Sequence, residues 1–188
     1  MQTILEIPSM NRDAVNAELE HVGKSYTGRG VIVECGTWLG ASLLRMSNGV
    51  GEREATFHCF DNFSANASEV EKARTQGVCI ELGDTRSWVE QNALPLLPKH
   101  HDVTLHQGRL RDASWFGPMI EIFVLDAGKR NPTFKHIIKT FRSFWLADVK
   151  LCLLDAYYKS ERSAFHDQLD FLESNHIEHR RIGSAAFA

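Results

Sequence analysis

The chain is poor in several features that mark common protein classes. It has four cysteines in 188 residues, Cys35, Cys59, Cys79 and Cys152, and no two form a C-x-x-C pair. That spacing excludes a dense disulfide framework. Cys35, Cys59 and Cys152 sit in apolar runs, where a reduced thiol acts as a small hydrophobe, so a reducing, cytoplasmic setting is expected. No Lys/Arg run stands out, and the formal net charge is -3, which argues against nucleic acid as a partner. No apolar run is long enough to span a bilayer, and the first residues lack the basic-then-apolar layout of a secretory leader, so no membrane association is expected. Internal repeats, low-complexity tracts and linkers are missing as well. What remains is a mixture of 43% hydrophobic and 24% charged residues, the balance of one soluble globular domain over residues 1–188, with 1–29 as an N-terminal helical segment.

Apolar clusters of strand type and helix type alternate. The strand candidates are 30–35, 56–60, 103–106, 120–125 and 149–154. Most are short, largely apolar and rich in β-branched or aromatic residues, as strands covered on both faces are. Helix signals lie between them. Ser9 can cap a helix bearing Val15, Leu19 and Val22, with Gly23 as its stop. A second helix follows Gly40 and ends at Asn48-Gly49, and Asp84 can cap a third over Thr85 to Ala93. Asn131-Pro132 opens a fourth, with Phe134, Ile137, Ile138 and Phe141 as its apolar stripe. Ser160 can cap a last one carrying Phe165, Leu169 and Leu172. This order implies an α/β fold with a mostly parallel sheet of six to seven strands and helices on both faces.

In such sheets ligands bind beyond the carboxyl ends of the strands, so the chemistry should follow each strand. After the first comes Glu34-Cys35-Gly36-Thr37-Trp38-Leu39-Gly40-Ala41-Ser42, whose glycines allow a tight turn and a close backbone approach. The spacing is not the G-x-G-x-x-G of NAD proteins, and a purely structural turn is the other reading. The second strand ends in Phe60-Asp61-Asn62-Phe63. A carboxylate there can accept from ribose hydroxyls or cap its own loop. The third leads into Gly108-Arg109-Leu110-Arg111, read either as cofactor contacts or as a surface loop. The fourth ends in Asp126-Ala127-Gly128-Lys129 and the fifth in Asp155-Ala156-Tyr157-Tyr158. Trp88, Trp115 and Trp145 are read as core, and His100, His101 and His106 match no zinc-ligand spacing.

The ordered series, more than any one motif, resembles class I S-adenosylmethionine-dependent methyltransferases over roughly Val15 to Ile182. Glu34-x-Gly36-x-x-x-Gly40 is similar to their first motif, and Phe60-Asp61-Asn62-Phe63 looks like the Phe-Asp-x-Phe of macrocin-type O-methyltransferases. Asp126 and Lys129 stand as the Asp-x-x-Lys of catechol-type ones. The resemblance implies a Rossmann-like methyltransferase fold, S-adenosyl-L-methionine as cofactor and O-methylation of a small-molecule hydroxyl. It implies cofactor contacts at Glu34, Gly36, Thr37, Trp38, Gly40, Ser42, Asp61, Asn62, Gly108, Arg109 and Asp126. Asp126, Asp155 and Lys129 become the catalytic set, with Lys129 as general base and Asp126 and Asp155 as ligands if Mg2+ is used. Two departures stand out. Ala156 and Gly128 occupy places where macrocin-type enzymes carry further acids. The chain end also leaves little room for the family's sixth and seventh strands, so the last strand is short or the chain is trimmed. Two rival readings remain: a methyltransferase-like binding domain that has lost chemistry, and an NAD-dependent oxidoreductase, which fits Asp61 but not the glycine spacing. A homodimer is expected, formed through the helix bearing Val15, Leu19 and Val22.

Overall fold

The computed structural model describes residues 7–127, 131–157 and 167–188. In chain order, helix α1 (Asp13–Lys24) leads into strand β1 (Val31–Cys35), helix α2 (Ala41–Val50) and strand β2 (Ala55–Asp61). A short antiparallel pair, β3 (Ser64–Ala65) and β4 (Gly83–Asp84), brackets helix α3 (Ala67–Thr75). Helical turn α4 (Arg86–Trp88) continues as a wider π-helical turn over Val89–Ala93. Strands β5 (His101–Gln107) and β6 (Ile120–Leu125) follow, then helix α5 (Asn131–Phe141) and strand β7 (Trp145–Leu153). Helix α6 (Asp167–Ser174) and strands β8 (Arg180–Ile182) and β9 (Ala185–Phe187) end the description.

Seven strands form one sheet in the order β5-β2-β1-β6-β7-β9-β8. Neighbours from β5 to β7 pair in parallel, and β9 alone is reversed, antiparallel to both β7 and β8. The two last strands fit into a short stretch because each has three residues and Gly183, at φ +59°, turns the chain between them. All five residues of β1 and all six of β6 are buried, as central parallel strands require.

The period of two sorts their side chains between two cores. Ile32, Ile122 and Val124 pack with Val15, Leu19, Leu43, Met46 and Phe57 beneath α1 and α2. Val33, Cys35, Phe123 and Leu125 pack on the other face with Phe134, Ile137 and Phe141 of α5. Cys35, Cys59 and Cys152 are buried in these layers and Cys79 is exposed. At the opposite end of the sheet from the loops after the strands, the buried Glu121 carboxylate accepts from the backbone N–H groups of Thr27, Arg29 and Gly30 and fixes the entry into β1. No helix among the described residues is long and apolar enough to cross a membrane.

Three helix expectations are corrected. Ser9 does not cap α1. Arg12 is the N-cap, without a side-chain bond, while the Ser9 hydroxyl donates to Asn16 Oδ1 (3.2 Å) and accepts from Asn11 N–H (3.1 Å). Gly23 and Gly49 do not stop their helices either, because both lie where α1 and α2 cross. A Cβ on Gly49 would stand 2.0 Å from Glu20 O, and one on Gly23 would stand 2.3 Å from Met46 O. Backbone meets backbone there, which only glycine permits. Val15, Leu19 and Val22 are buried inside this chain, so that face of α1 belongs to the core. The Ser160 cap and Phe165 lie outside the described residues.

The α1–α2 crossing yields a stability prediction. Gly49→Ala gains up to about 1 kcal/mol of helix propensity. It also drives a methyl group into the α1 backbone, and overpacking of this kind costs about 1–3 kcal/mol. The expected result is a lower urea midpoint with an unchanged m-value. An unchanged midpoint would show that the two helices can separate freely.

Candidate functional site

The order of the sheet reverses between β1 and β6: β2 and β5 lie to one side, β7 and the last two strands to the other. Loops leaving β1 and β6 therefore diverge and open a crevice at the carboxyl ends. A cleft of about 700 Å3 lies there, lined in part by Gly36, Trp38, Asp61, Asn62, Arg109, Asp126 and Asp155. Seven of the residues singled out from the sequence thus meet in one place although they come from five loops.

The glycine loop is shaped from two directions. Gly36 adopts φ +97° and donates to Phe60 O at 2.8 Å. A Cβ on it would lie 2.7 Å from Ala127 Cβ and 2.9 Å from Asp126 O, so the loops after β1 and β6 touch only because that atom is missing. From the β2 side, Asp61 Oδ2 accepts from the backbone N–H groups of Thr37 (2.7 Å) and Trp38 (3.0 Å). Its Oδ1 accepts from Phe63 N–H at 2.8 Å. Trp38 and Phe63 both hold positive φ, +46° and +49°. Such backbone costs about 1–3 kcal/mol each, and the charge-assisted bonds to Asp61 offset it. Trp38 Nε1 is buried without a hydrogen-bond acceptor among the described residues, beside the cleft.

Glu34, Thr37, Gly40 and Ser42 do not line the cleft. They lie beneath it as its support, with Glu34 1% exposed. The Ser42 hydroxyl donates to Glu34 Oε1. Burial pushes the Glu34 carboxyl up from 4.5 to about 7, against the opposing pull of the Ser42 and Thr37 hydroxyls, and Asp61 adds a further upward push. Gly40 is the uncapped N-cap of α2 at φ +84°. Gly108 is also outside the lining; its N–H donates to Asp61 O at 2.9 Å and continues the sheet.

At the β6 and β7 ends, Asp126 and Asp155 both reach the cleft. Asn11 Nδ2 donates to Asp126 Oδ2 at 3.2 Å. Tyr157 does not line the cleft. Its hydroxyl donates to His179 Nε2 (2.7 Å), the His179 Nδ1–H donates to Ile177 O (3.0 Å), and Arg181 lies 4.4 Å over its ring. Gly128, Lys129 and Tyr158 lie outside the described residues, so the expected base Lys129 has no place in this geometry. Of the histidines that match no zinc-ligand spacing, His101 bonds Ser47 Oγ and Arg53 O, and His106 stacks on Phe60.

Several lining residues were not singled out in the sequence: Met10 and Asn11 before α1, Ser68 and Glu69 of α3, Thr133 and Ser184. The first turn of α3 was legible in principle, since Asn66 and Glu69 form a capping box directly after the β2 loop. Nothing local marks Asn11. It reaches Asp126 because Ser9 is tied to α3, with Ser9 N–H donating to Gln76 Oε1 (2.9 Å) and Gln76 Nε2 donating to Ser9 O (3.1 Å).

Among the described residues no group of three or more His, Cys, Asp or Glu side chains could hold a metal, so the Mg2+ expected at Asp126 and Asp155 gains no support.

No protein-family model matches the chain, and no curated protein matches it. Solved structures do. The chain is similar to the O-methyltransferase NovP, with TM-score 0.61 and 15% identity over 93% of this chain and 76% of that one. It is similar to the SAH-bound methyltransferase PaMTH1 of Podospora anserina, with TM-score 0.60 and 9% identity over 95% of this chain and 78% of that one. A third is CalS11, a TDP-rhamnose 3'-O-methyltransferase of calicheamicin biosynthesis, with TM-score 0.56 and 13% identity over 92% and 75%. Likeness at such identities establishes architecture: the chain has the Rossmann-like fold of class I methyltransferases.

The buried carboxyl below the loop makes stability depend on pH. Its folded value, about 7, stands above its ordinary 4.5, so the folded protein keeps a proton that the unfolded chain gives up. The stabilisation is fully present below about pH 4.5 and is lost as pH rises through about 7. Glu34→Gln is neutral throughout. Relative to this variant, the wild type should lose stability between pH 5 and 8 in urea titrations. A constant difference would mean that Glu34 titrates normally.

Proposed function

We propose that the chain is an S-adenosyl-L-methionine-dependent methyltransferase that methylates a hydroxyl of a small molecule. The observation that supports this best is the glycine loop clamped by Asp61, opening onto a cleft that also contains Asp126 and Asp155. A cleft of about 700 Å3 is of small-molecule size. The likeness to NovP, CalS11 and PaMTH1 points the same way.

The residues present fit the cofactor. Gly36 lets a ligand approach backbone, and the buried Trp38 Nε1–H has no acceptor among the described residues. Asp61 offers about four lone-pair sites, three of which serve Thr37, Trp38 and Phe63. It keeps room for one ribose hydroxyl rather than the pair foreseen from the sequence. Asn62 and Arg109 line the same cleft. When bound, S-adenosyl-L-methionine supplies a methyl group activated on a sulfonium.

The chain's own work is then to place and deprotonate the acceptor hydroxyl. Asp126 and Asp155 follow adjacent parallel strands, so one hydroxyl can lie between them, and Asn11 orients Asp126. Lys129, three residues beyond Asp126, is retained as a candidate proton acceptor from its sequence position alone. Positioning of the nucleophile accounts for much of the rate, and a general base adds ~10²–10⁴-fold.

Two measurements test this reading. Calorimetry should show S-adenosylhomocysteine binding that Asp61→Ala weakens by about 1–3 kcal/mol. Binding of NAD with none of S-adenosylhomocysteine would overturn the assignment. On a panel of catechols, phenols and sugars, Asp126→Asn and Lys129→Ala should each be compared with wild type. Loss of turnover by ~10²–10⁴-fold at unchanged cofactor affinity identifies the base. Full activity of both variants would place the chemistry elsewhere.

A further inference from the structure

The cleft is divided in charge. Among its described lining residues, Asp61, Glu69, Asp126 and Asp155 are acids, and the cations are Arg109 and Arg111 alone. Of the eleven described arginines, seven have a side-chain partner. Arg29, Arg74, Arg86 and Arg180 pair with Asp148, Glu71, Glu90 and Glu18. Arg53 donates to the carbonyls that end α1 and α2, and Arg142 donates to Asn175. Arg12, Arg45, Arg109 and Arg111 have no ion pair or side-chain hydrogen bond with a described residue, and of these four only Arg109 and Arg111 line the cleft.

The backbone that carries them is fixed at both ends. Before it, Gly108 N–H donates to Asp61 O at 2.9 Å. Within it, a single 3-10 turn spans Leu110–Asp112, closed by Asp112 N–H on Arg109 O at 2.8 Å. After it, the His136 Nε2–H of α5 donates to Ala113 O at 2.8 Å. Two guanidiniums on an anchored turn form a prepared anion contact, because each offers a planar fork of donors suited to phosphate or carboxylate oxygens.

We propose that the acceptor carries a negatively charged group, a phosphate or a carboxylate, and that Arg109 and Arg111 bind it at the mouth of the cleft. The proposal rests on the methyltransferase reading above. Positive charge at the lining raises the local concentration of an anionic molecule, and Arg109 and Arg111 are the cations that the described lining supplies. The cofactor is a poorer match for that pair. Its one carboxylate belongs to the methionine part, which the resemblance to class I methyltransferases assigns to the loop after β1, whereas Arg109 and Arg111 follow β5. The arginines therefore select the acceptor and set its orientation, while Asp126 and Asp155 act on the hydroxyl at the other end.

The test uses the whole chain, with inorganic pyrophosphate and malonate as probes, titrated by calorimetry with and without saturating S-adenosylhomocysteine. At least one probe should bind the wild type, and affinity should fall as salt rises. The Arg109→Ala/Arg111→Ala double variant should lose at least roughly tenfold in probe affinity, the scale of a lost bond to a charged group. The Arg111→Ala single variant should keep its S-adenosylhomocysteine affinity within about twofold of wild type. Pyrophosphate preferred over malonate assigns a phosphorylated acceptor, and the reverse assigns a carboxylated one. Failure of both probes to bind, or binding that survives the double substitution, overturns the proposal. So does a tenfold fall in the S-adenosylhomocysteine affinity of Arg111→Ala, which would give the arginines to the cofactor. A wild type that binds a probe but no S-adenosylhomocysteine refutes the methyltransferase reading while leaving the anion site in place.

Discussion

The carboxylate of Asp61 is the contact on which the site depends. It ends β2, and it accepts three backbone N–H groups from two different loops. Without it, Thr37 and Trp38 would have no reason to turn their amides toward β2, and Trp38 and Phe63 would hold unfavourable backbone angles without compensation. One side chain thus joins the loop after β1 to the loop after β2. The contact also explains why a single acid can serve both structure and ligand: a carboxylate accepts more bonds than the loop uses.

Beneath that clamp the protein places a second acid where water cannot reach. Glu34 belongs to the buried run of β1 and lies under the same loop, 1% exposed. A charged carboxylate is costly there, and burial raises its affinity for a proton. A protonated Glu34 can donate as well as accept, which suits a site that also contains hydroxyls of Thr37 and Ser42. The loop is therefore held by the Asp61 carboxylate on one side and by the buried Glu34 beneath it.

The rest of the cleft extends this separation of charge. Parallel pairing of β6 with β7 sets Asp126 and Asp155 side by side, and the turn after β5 sets two guanidiniums across from them. The segment before α1 completes the wall, tied through Ser9 to Gln76 and through Asn11 to Asp126. Residues at the start of the chain and near its middle become neighbours because the sheet reverses its order at β1 and β6.

Much of this was legible in the amino-acid order. Each of the five strand candidates falls on one of β1, β2, β5, β6 and β7, because buried parallel strands write themselves as short apolar runs. Gly36, Trp38, Asp61, Asn62, Arg109, Asp126 and Asp155 could be picked out because they follow those runs, and strand ends are where such sheets bind. Local rules failed where a distant element decided the outcome. Gly23 and Gly49 look like helix stops, yet their role is to let two helix backbones touch. Glu34 looks like a ligand-binding acid, yet the helix that follows it buries it. Ser9 looks like a cap, yet α3 pulls its segment over the cleft. Periodicity and turn chemistry are properties of a few consecutive residues, and these suffice to define strands, helices and the ends where ligands gather. Which side chain faces solvent, and which distant backbone it meets, depends on the packing of whole elements, and only the tertiary structure decided that.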